Sequence, residues 1–208
     1  MTVAQALLAF TVAAGLLTIT PGLDTALVLR TAAVDGPKRA ALAGLGVVAG
    51  CLVWGAAVAF GLGALLEASA FAFQVLKWAG AAYLVWLGAN LILRPRDRFE
   101  VAGAPAPDGD GLAWMRRGFL TNLLNPKVGV FYVSFLPQFL PDGVAAGPFI
   151  FLLAVVHGAM GLAWFAALIA ATRPIAGALQ KAAVVRWLDR LTGGVFLAFG
   201  LRLALERR

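Results

Sequence analysis

Six long apolar runs, nearly free of charged residues, follow one another along the chain. Roughly 20 apolar residues in helical conformation cross a bilayer core about 30 Å thick, and five of the runs exceed that length. The runs cover residues 1–23, 40–66, 70–93, 118–140, 143–172 and 191–205. The last is the shortest and contains Arg202, so it is the weakest of the six. The pattern predicts an all-α membrane protein with six transmembrane helices.

The composition excludes a soluble domain. Of the 208 residues, 62% are hydrophobic and 13% are charged, whereas soluble domains average about 45–50% apolar and about 25% charged residues. A chain this short cannot bury so much apolar surface in water. The net charge of +7 does not indicate nucleic-acid binding, because the basic residues lie almost wholly between the apolar runs, where they orient a membrane protein.

The chain has one cysteine, Cys51, and one histidine, His157. A single cysteine excludes an internal disulfide and any relay between two thiols. A cluster of His and Cys ligands for a metal cannot form within one subunit, and the runs contain no paired carboxylates. We therefore expect neither an enzyme nor a bound cofactor or metal.

The basic residues favour the loops after runs one, three and five. Residues 94–113 lie between two halves of the chain, 1–93 and 114–208, and their prolines, glycines and alternating charges are typical of a solvated linker. Residues 176–190 have the pattern of an amphipathic helix on the membrane surface. The first run lacks the basic start and cleavage site of a signal peptide, so we interpret it as a permanent span. The positive-inside rule predicts cytoplasmic basic loops and places both termini outside, although the C-terminal arginines run against it.

The two halves of the chain resemble each other in three places. The corresponding pairs are Thr20-Pro21-Gly22 with Asn125-Pro126-Lys127, residues 81–88 with residues 193–200, and, more loosely, Trp54 with Trp164. A three-helix unit repeated after an odd number of crossings is inverted in the membrane, as in many secondary transporters, whose sites lie where helices are broken. The expected architecture is therefore two inverted three-helix repeats in which helices 1 and 4 are broken by proline.

Each of these prolines removes a backbone donor and clashes with the carbonyl four residues earlier, at Leu17 and Asn122 respectively. In lipid the freed carbonyls need partners, which nearby threonine and asparagine side chains are placed to provide or to share with a ligand. The alternative interpretation is an ordinary proline kink. We expect the residues around the two breaks to bind or gate a substrate: Thr20, Pro21, Gly22, Asn122, Asn125, Pro126 and Lys127.

Three ionisable residues are candidates for transport chemistry. Counting about 1.5 Å per residue from Arg117 places Lys127 roughly 15 Å deep, where an ammonium normally faces a cavity or a carboxylate. Asp24 is its natural partner and a proton-coupling candidate if it lies deep, whereas a shallow Asp24 would cap a helix or pair with Arg30. His157 is a second proton-coupling candidate, against the alternative of a histidine satisfied by a hydrogen bond between helices.

Gly46 and Gly50, with Ala43 nearby, form a small-residue face on the second run. Such a face favours close helix packing, either inside one bundle or against a second copy of the chain. A homodimer is therefore an alternative use of this face.

The chain resembles the LysE/RhtB-type amino-acid exporters through motifs in both halves. The motifs are Thr20-Pro21-Gly22, Asn125-Pro126-Lys127, Phe131, Phe135-Leu136-Pro137-Gln138-Phe139, and Ala82-Tyr83-Leu84 with Leu87-Gly88. The resemblance covers about residues 15–200 and implies a six-helix carrier of the bacterial inner membrane that exports amino acids or their derivatives, driven by the proton gradient. The family commonly has a proline directly after the first motif, where this chain has Leu23 followed by Asp24.

Other functions stay open as alternatives. A passive channel for a small polar solute shares the inverted plan, but water and glycerol channels carry two Asn-Pro-Ala loops that this sequence lacks. A metal exporter would need soft ligands, which are scarce here. A scaffolding subunit would transport nothing.

Overall fold

The computed structural model describes residues 1–20, 22–68, 70–95, 111–172 and 181–205. Within these ranges the chain forms α-helices, connecting turns and one 3₁₀ turn, and contains no strand. The helices are α1 (Val3–Ile19), α2 (Leu23–Val34), α3 (Pro37–Ala68), α4 (Ala70–Leu93), α5 (Gly111–Leu123), α6 (Pro126–Phe135), α7 (Ala146–Ala170) and α8 (Ala182–Leu205), with the 3₁₀ turn (Leu136–Phe139) following α6. The predicted all-α class is confirmed.

Two helices are long and apolar enough to cross a bilayer by themselves. They are the segment Pro37–Gly61 of α3 and the whole of α7. The pair α1 and α2 meets the same criterion as a single span bent by 53°. The described residues thus contain two candidate spans, or three if the bent pair counts as one.

α3 lies between α5 and α7 and makes extensive contacts with both. Its approach to α5 is very close, because a Cβ atom on Gly46 would meet the Met115 backbone and one on Gly118 would meet the Ala43 carbonyl. Gly50 lies equally close to the Asn122 side chain. The small-residue face of α3 is therefore occupied by α5 within the same chain, and a second copy has no access to it.

Two further helix pairs, α3 with α7 and α4 with α8, cross antiparallel. In both pairs, contacts at higher residue numbers on one helix are made with lower residue numbers on the other. The contacts join Gly44 to Phe165 and Gly55 to Ala154 in the first pair, and Ala81 to Gly200 and Gly88 to Gly193 in the second.

An aromatic cluster holds α6 in place. The rings of Phe131 and Phe135 stack with centroids 4.6 Å apart, Phe139 lies 4.9 Å from Phe135, and Phe10 of α1 meets Phe139 edge-on at 5.4 Å. A helix of ten residues gains little stability from its own hydrogen bonds. Packing of this apolar side therefore positions α6 beside the polar residues described below.

The end of the chain differs from the prediction. α8 begins at Ala182, so residues 182–190 of the predicted surface helix continue directly into the sixth apolar run. Val185 and Asp189 in this stretch are fully buried, which shows that the stretch packs against the bundle. The predicted linker also ends earlier than expected, since α5 begins at Gly111. Residues 96–110 of that linker and 176–180 of the predicted surface helix lie outside the described residues.

Candidate functional site

Both predicted helix breaks are present. α1 ends at Ile19 and α2 begins at Leu23, while α5 ends at Leu123 and α6 begins at Pro126. Proline suits the first position of a helix, where its missing N–H needs no partner. Pro21, the proline predicted to cause the first break, lies outside the described residues.

The freed carbonyls are satisfied differently from the expectation. The backbone N–H of Thr20 donates to the Leu17 carbonyl at 3.3 Å, and that of Asn125 donates to the Asn122 carbonyl at 3.0 Å. The Thr20 hydroxyl donates instead to the Leu16 carbonyl at 2.6 Å. Since tight turns at the breaks supply these backbone donors, the two asparagine side chains are left for other contacts.

The breaks meet at a cavity of about 70 Å³, which is room for several water molecules at roughly 10–15 Å³ each. Its walls come from α1, α2, α3, α5, α6 and α7. Most of the predicted site residues line it, namely Thr20, Gly22, Asp24, Asn122, Asn125, Lys127 and His157. Pro126 starts the helix that carries Lys127.

Asp24 lies in the first turn of α2 and is held by Asn122. The Asn122 side chain, which is fully buried, donates through Nδ2 to Asp24 Oδ2 at 2.8 Å and to Cys51 Sγ at 3.4 Å. Its Oδ1 atom faces the backbone of Gly50. Among the described residues no ion pair joins Asp24 to Arg30.

Lys127 reaches across from the second break to the first. The Asn125 side chain caps α6 by accepting the Lys127 backbone N–H at 3.1 Å. The Lys127 ammonium lies 3.7 Å from the position that a Cβ atom on Gly22 would take, and it acts electrostatically on both Asp24 and His157. A side chain much larger than a methyl group at this position would compete with the ammonium for the space beside the cavity.

His157 of α7 is bonded to a residue that the sequence analysis did not single out. Its Nδ1 atom lies 2.9 Å from the hydroxyl of Tyr132, and its ring lies 5.4 Å from that of Phe131. Tyr132 and Cys51 are within hydrogen-bonding reach of each other. The available signal was a phenol in an otherwise apolar stretch five residues after Lys127, because a buried tyrosine hydroxyl needs a partner.

Residues 15–207 of the chain match the family model described as LysE type translocator. The chain belongs to the LysE family. It is a translocator and not an enzyme, as its composition indicated. The predicted resemblance is thereby confirmed, and the broken helices and their cavity are the features of this LysE-family chain that require a functional explanation.

Curated relatives match along nearly the whole chain. A threonine efflux protein of Escherichia coli (strain K12) is 32% identical, with 91% of this chain and 92% of the relative covered. A leucine efflux protein of Klebsiella pneumoniae is 30% identical, with 95% and 93% covered. An uncharacterised membrane protein of Bacillus subtilis (strain 168) is 26% identical, with 97% and 100% covered. No solved structure matches the chain.

Proposed function

We propose that this LysE-family protein exports a small neutral amino acid across the bacterial inner membrane, in exchange for inward movement of protons. The observation that carries the proposal is the pair of opposite charges, Asp24 and Lys127, on the wall of one cavity between two broken helices. A zwitterionic amino acid carries the complementary pair of charges.

The carboxylate end of such a substrate fits the Lys127 side of the cavity. α2 begins at Leu23 and α6 begins at Pro126, so two helix N-termini and one ammonium converge there. Helix N-termini carry a partial positive charge and favour anions. An anion therefore offsets the electrostatic cost of burying the ammonium beside them.

The apolar wall fits an uncharged side chain. Val48, Phe131, Trp164 and Phe165 line the cavity together with the polar groups. The relatives named threonine and leucine efflux proteins point to the same range of side chains. We therefore propose neutral amino acids of about the size of threonine to leucine as substrates.

Helix packing supports the proposed architecture of two inverted three-helix repeats. In the repeat alignment Ala81 corresponds to Gly193 and Gly88 to Gly200. The observed contacts are Gly88 with Gly193 and Ala81 with Gly200, so the two helices cross antiparallel. An antiparallel crossing of α4 and α8 is compatible with a pseudo-two-fold axis between the two proposed repeats.

The pair α3 and α7 follows the same rule. Aligning Trp54 with Trp164 makes Gly55 correspond to Phe165 and Gly44 to Ala154. The contacts found are Gly55 with Ala154 and Gly44 with Phe165. Both antiparallel crossings are compatible with six spans in two inverted repeats. The proposed orientation, with the basic loops in the cytoplasm and both termini outside, is supported by the positive-inside rule.

The proposal is tested by uptake of labelled amino acids into inside-out vesicles under an imposed pH gradient. We expect saturable, gradient-dependent uptake of one or a few neutral amino acids. Lys127→Ala should lower its rate roughly tenfold to a hundredfold, since hydrogen bonds to charged groups contribute about 1.5–3 kcal/mol. Lys38→Ala is the matched control, because Lys38 is exposed at the start of α3.

Three results would contradict the proposal. Flux that neither saturates nor follows the gradient would favour a passive channel. Equal traces with and without the protein would favour a scaffolding role or a different solute. Full activity of Lys127→Ala at normal membrane abundance would remove Lys127 from the site.

A further inference from the structure

The two carboxylate oxygens of Asp24 have different surroundings. Oδ2 accepts the hydrogen bond from Asn122, whereas Oδ1 is buried and has no hydrogen-bond partner in the part of the chain that the structure describes. The Asn125 side chain is near enough to act on the carboxylate but makes no hydrogen bond of ordinary geometry to Oδ1. A buried acceptor without a donor is costly, so Oδ1 is a place for a donor from outside the chain.

Asp24 lines the cavity, which places its carboxyl group beside the space that a ligand would enter. We propose that Asp24 Oδ1 binds either the ammonium group of the exported amino acid or a proton, and never both. This exclusive occupancy then exchanges the substrate for a proton. The inference rests on the proposed function. It adds that Asp24 couples amino-acid export to proton entry, and that one proton enters for each amino acid exported.

The other polar groups around Asp24 have their own contacts. The helices packed against α2 are α3, α5 and α7, and α6 faces it across the cavity. The polar and ionisable side chains that these helices contribute are Cys51 of α3, Asn122 of α5, Lys127 and Tyr132 of α6, and His157 of α7. Arg30 of α2 and Arg117 of α5 act on each other electrostatically. Lys127 is the cation on the cavity wall. It repels an ammonium group and attracts the substrate carboxylate.

His157 is less suited to bind the ammonium group than Asp24. Its Nδ1 atom is already bonded to Tyr132, and Lys127 acts on the ring electrostatically. A carboxylate oxygen, in contrast, can accept a hydrogen bond from an ammonium N–H or form an O–H bond with a proton. Asp24 is therefore the group for which substrate and proton compete.

Asp24 exchanges its proton for the substrate on one side of the membrane and regains a proton on the other. On the cytoplasmic side the O–H bond of a protonated Asp24 breaks, the proton passes to water, and the carboxylate accepts a hydrogen bond from the incoming ammonium group. On the outer side a proton from water bonds to Oδ1 and the amino acid leaves. No covalent bond of the amino acid changes. One proton enters for each zwitterion exported, so each cycle moves one positive charge inward.

The experiment uses the purified full-length protein in lipid nanodiscs, titrated with L-threonine and with L-leucine. Proton release is followed in weakly buffered solution and affinity by calorimetry, both from neutral to mildly acidic pH. We expect release to approach one proton per amino acid bound toward acidic pH. Affinity there should weaken about tenfold for each unit of acidification, as linkage to one proton requires.

Asp24→Asn is the decisive variant, since it preserves the shape of the side chain and its acceptor for Asn122. We expect weaker binding that releases no proton and does not change with pH. His157→Gln should keep the proton release, whatever it does to affinity. Asp35→Asn, at the other end of α2, should behave as the unchanged protein.

Two outcomes would overturn the inference while leaving the proposed function intact. One is amino-acid binding to the unchanged protein without proton release. The other is proton release that survives in Asp24→Asn but disappears in His157→Gln. Binding of neither amino acid, together with no uptake in vesicles, would overturn the proposed function and the inference with it.

Discussion

The two helix breaks occupy corresponding places in the two halves of the chain but are built differently. Between α5 and α6 only Leu124 and Asn125 intervene, and the Asn125 side chain caps the second helix. Between α1 and α2 the N-cap is Gly22, which has no side chain to contribute, and the two helices are bent by 53°. An Asn N-cap stabilises the start of a helix by about a few tenths of a kcal/mol relative to a Gly N-cap. We therefore expect the second break to hold its geometry and the first to move.

The charges at the two breaks differ in a related way. Lys127 and Gly22 correspond in the repeat, and the ammonium of the first lies against the backbone of the second. One half supplies the charged group and the other supplies the space for it. In the proposed repeat, two similar units thus form a site with two unlike ends, which suits a ligand with two unlike charges.

We expect the largest loss of uptake when a bulky side chain fills the space at the first break. Gly22→Leu would displace the Lys127 ammonium and should abolish uptake in vesicles. Gly22→Ala should keep most of the activity, since its Cβ atom would lie at an ordinary contact distance of 3.7 Å. Gly61→Leu is the control, because a side chain there meets nothing within 4 Å. Equal activity of the two Gly22 variants would contradict this account.

An intermediate effect is expected at the second break. Asn125→Ala removes the cap of α6 and should cost about 1 kcal/mol of stability, lowering both the unfolding temperature and the uptake rate. Asn125→Asp keeps an acceptor for the Lys127 backbone and should recover most of the stability. Thr2→Ala removes the comparable cap of α1, far from the cavity, and should lower stability alone. If Thr2→Ala impaired uptake as much as Asn125→Ala, the second break would have no special role.

The smallest effect is expected from Tyr132→Phe. The change keeps the ring and removes the hydroxyl bonded to His157, at a cost of about 0.5–1.5 kcal/mol. We expect a rise of several-fold in the KM for uptake and a changed pH profile. Ser134→Ala is the control on the same helix, since the Ser134 hydroxyl donates to the Val130 carbonyl. An unchanged pH profile in Tyr132→Phe would separate His157 from transport.

Apolar length predicted α1, α3, α4 and α7, and proline position predicted both breaks, because these features depend on the local chain. The continuation of α2 to Val34 and the start of α5 at Gly111 were not predicted. Residues 70–93 were predicted as one helix, and α4 has those bounds. The start of α8 was not predicted, because the charged residues around Asp189 are typical of a surface segment. In the structure Asp189 is buried in the bundle.

The site residues near the breaks were named from the sequence, but their contacts were not. The bond between Asn122 and Asp24 joins residues 98 positions apart, and nothing in either local sequence indicates it. The pairing of Tyr132 with His157 likewise depends on how α6 and α7 meet. Local chemistry predicts which groups need partners, and only packing decides which partners they find.

The buried thiol of Cys51 gives the protein a built-in reporter. It is the chain's only cysteine, it lines the cavity, and it is 6% exposed. A maleimide attached to the protein therefore marks a single known atom, and mass spectrometry counts it without any engineered residue. Because the thiol is buried, the rate of its alkylation measures how often the cavity opens. An amino acid bound in the cavity should lower this rate.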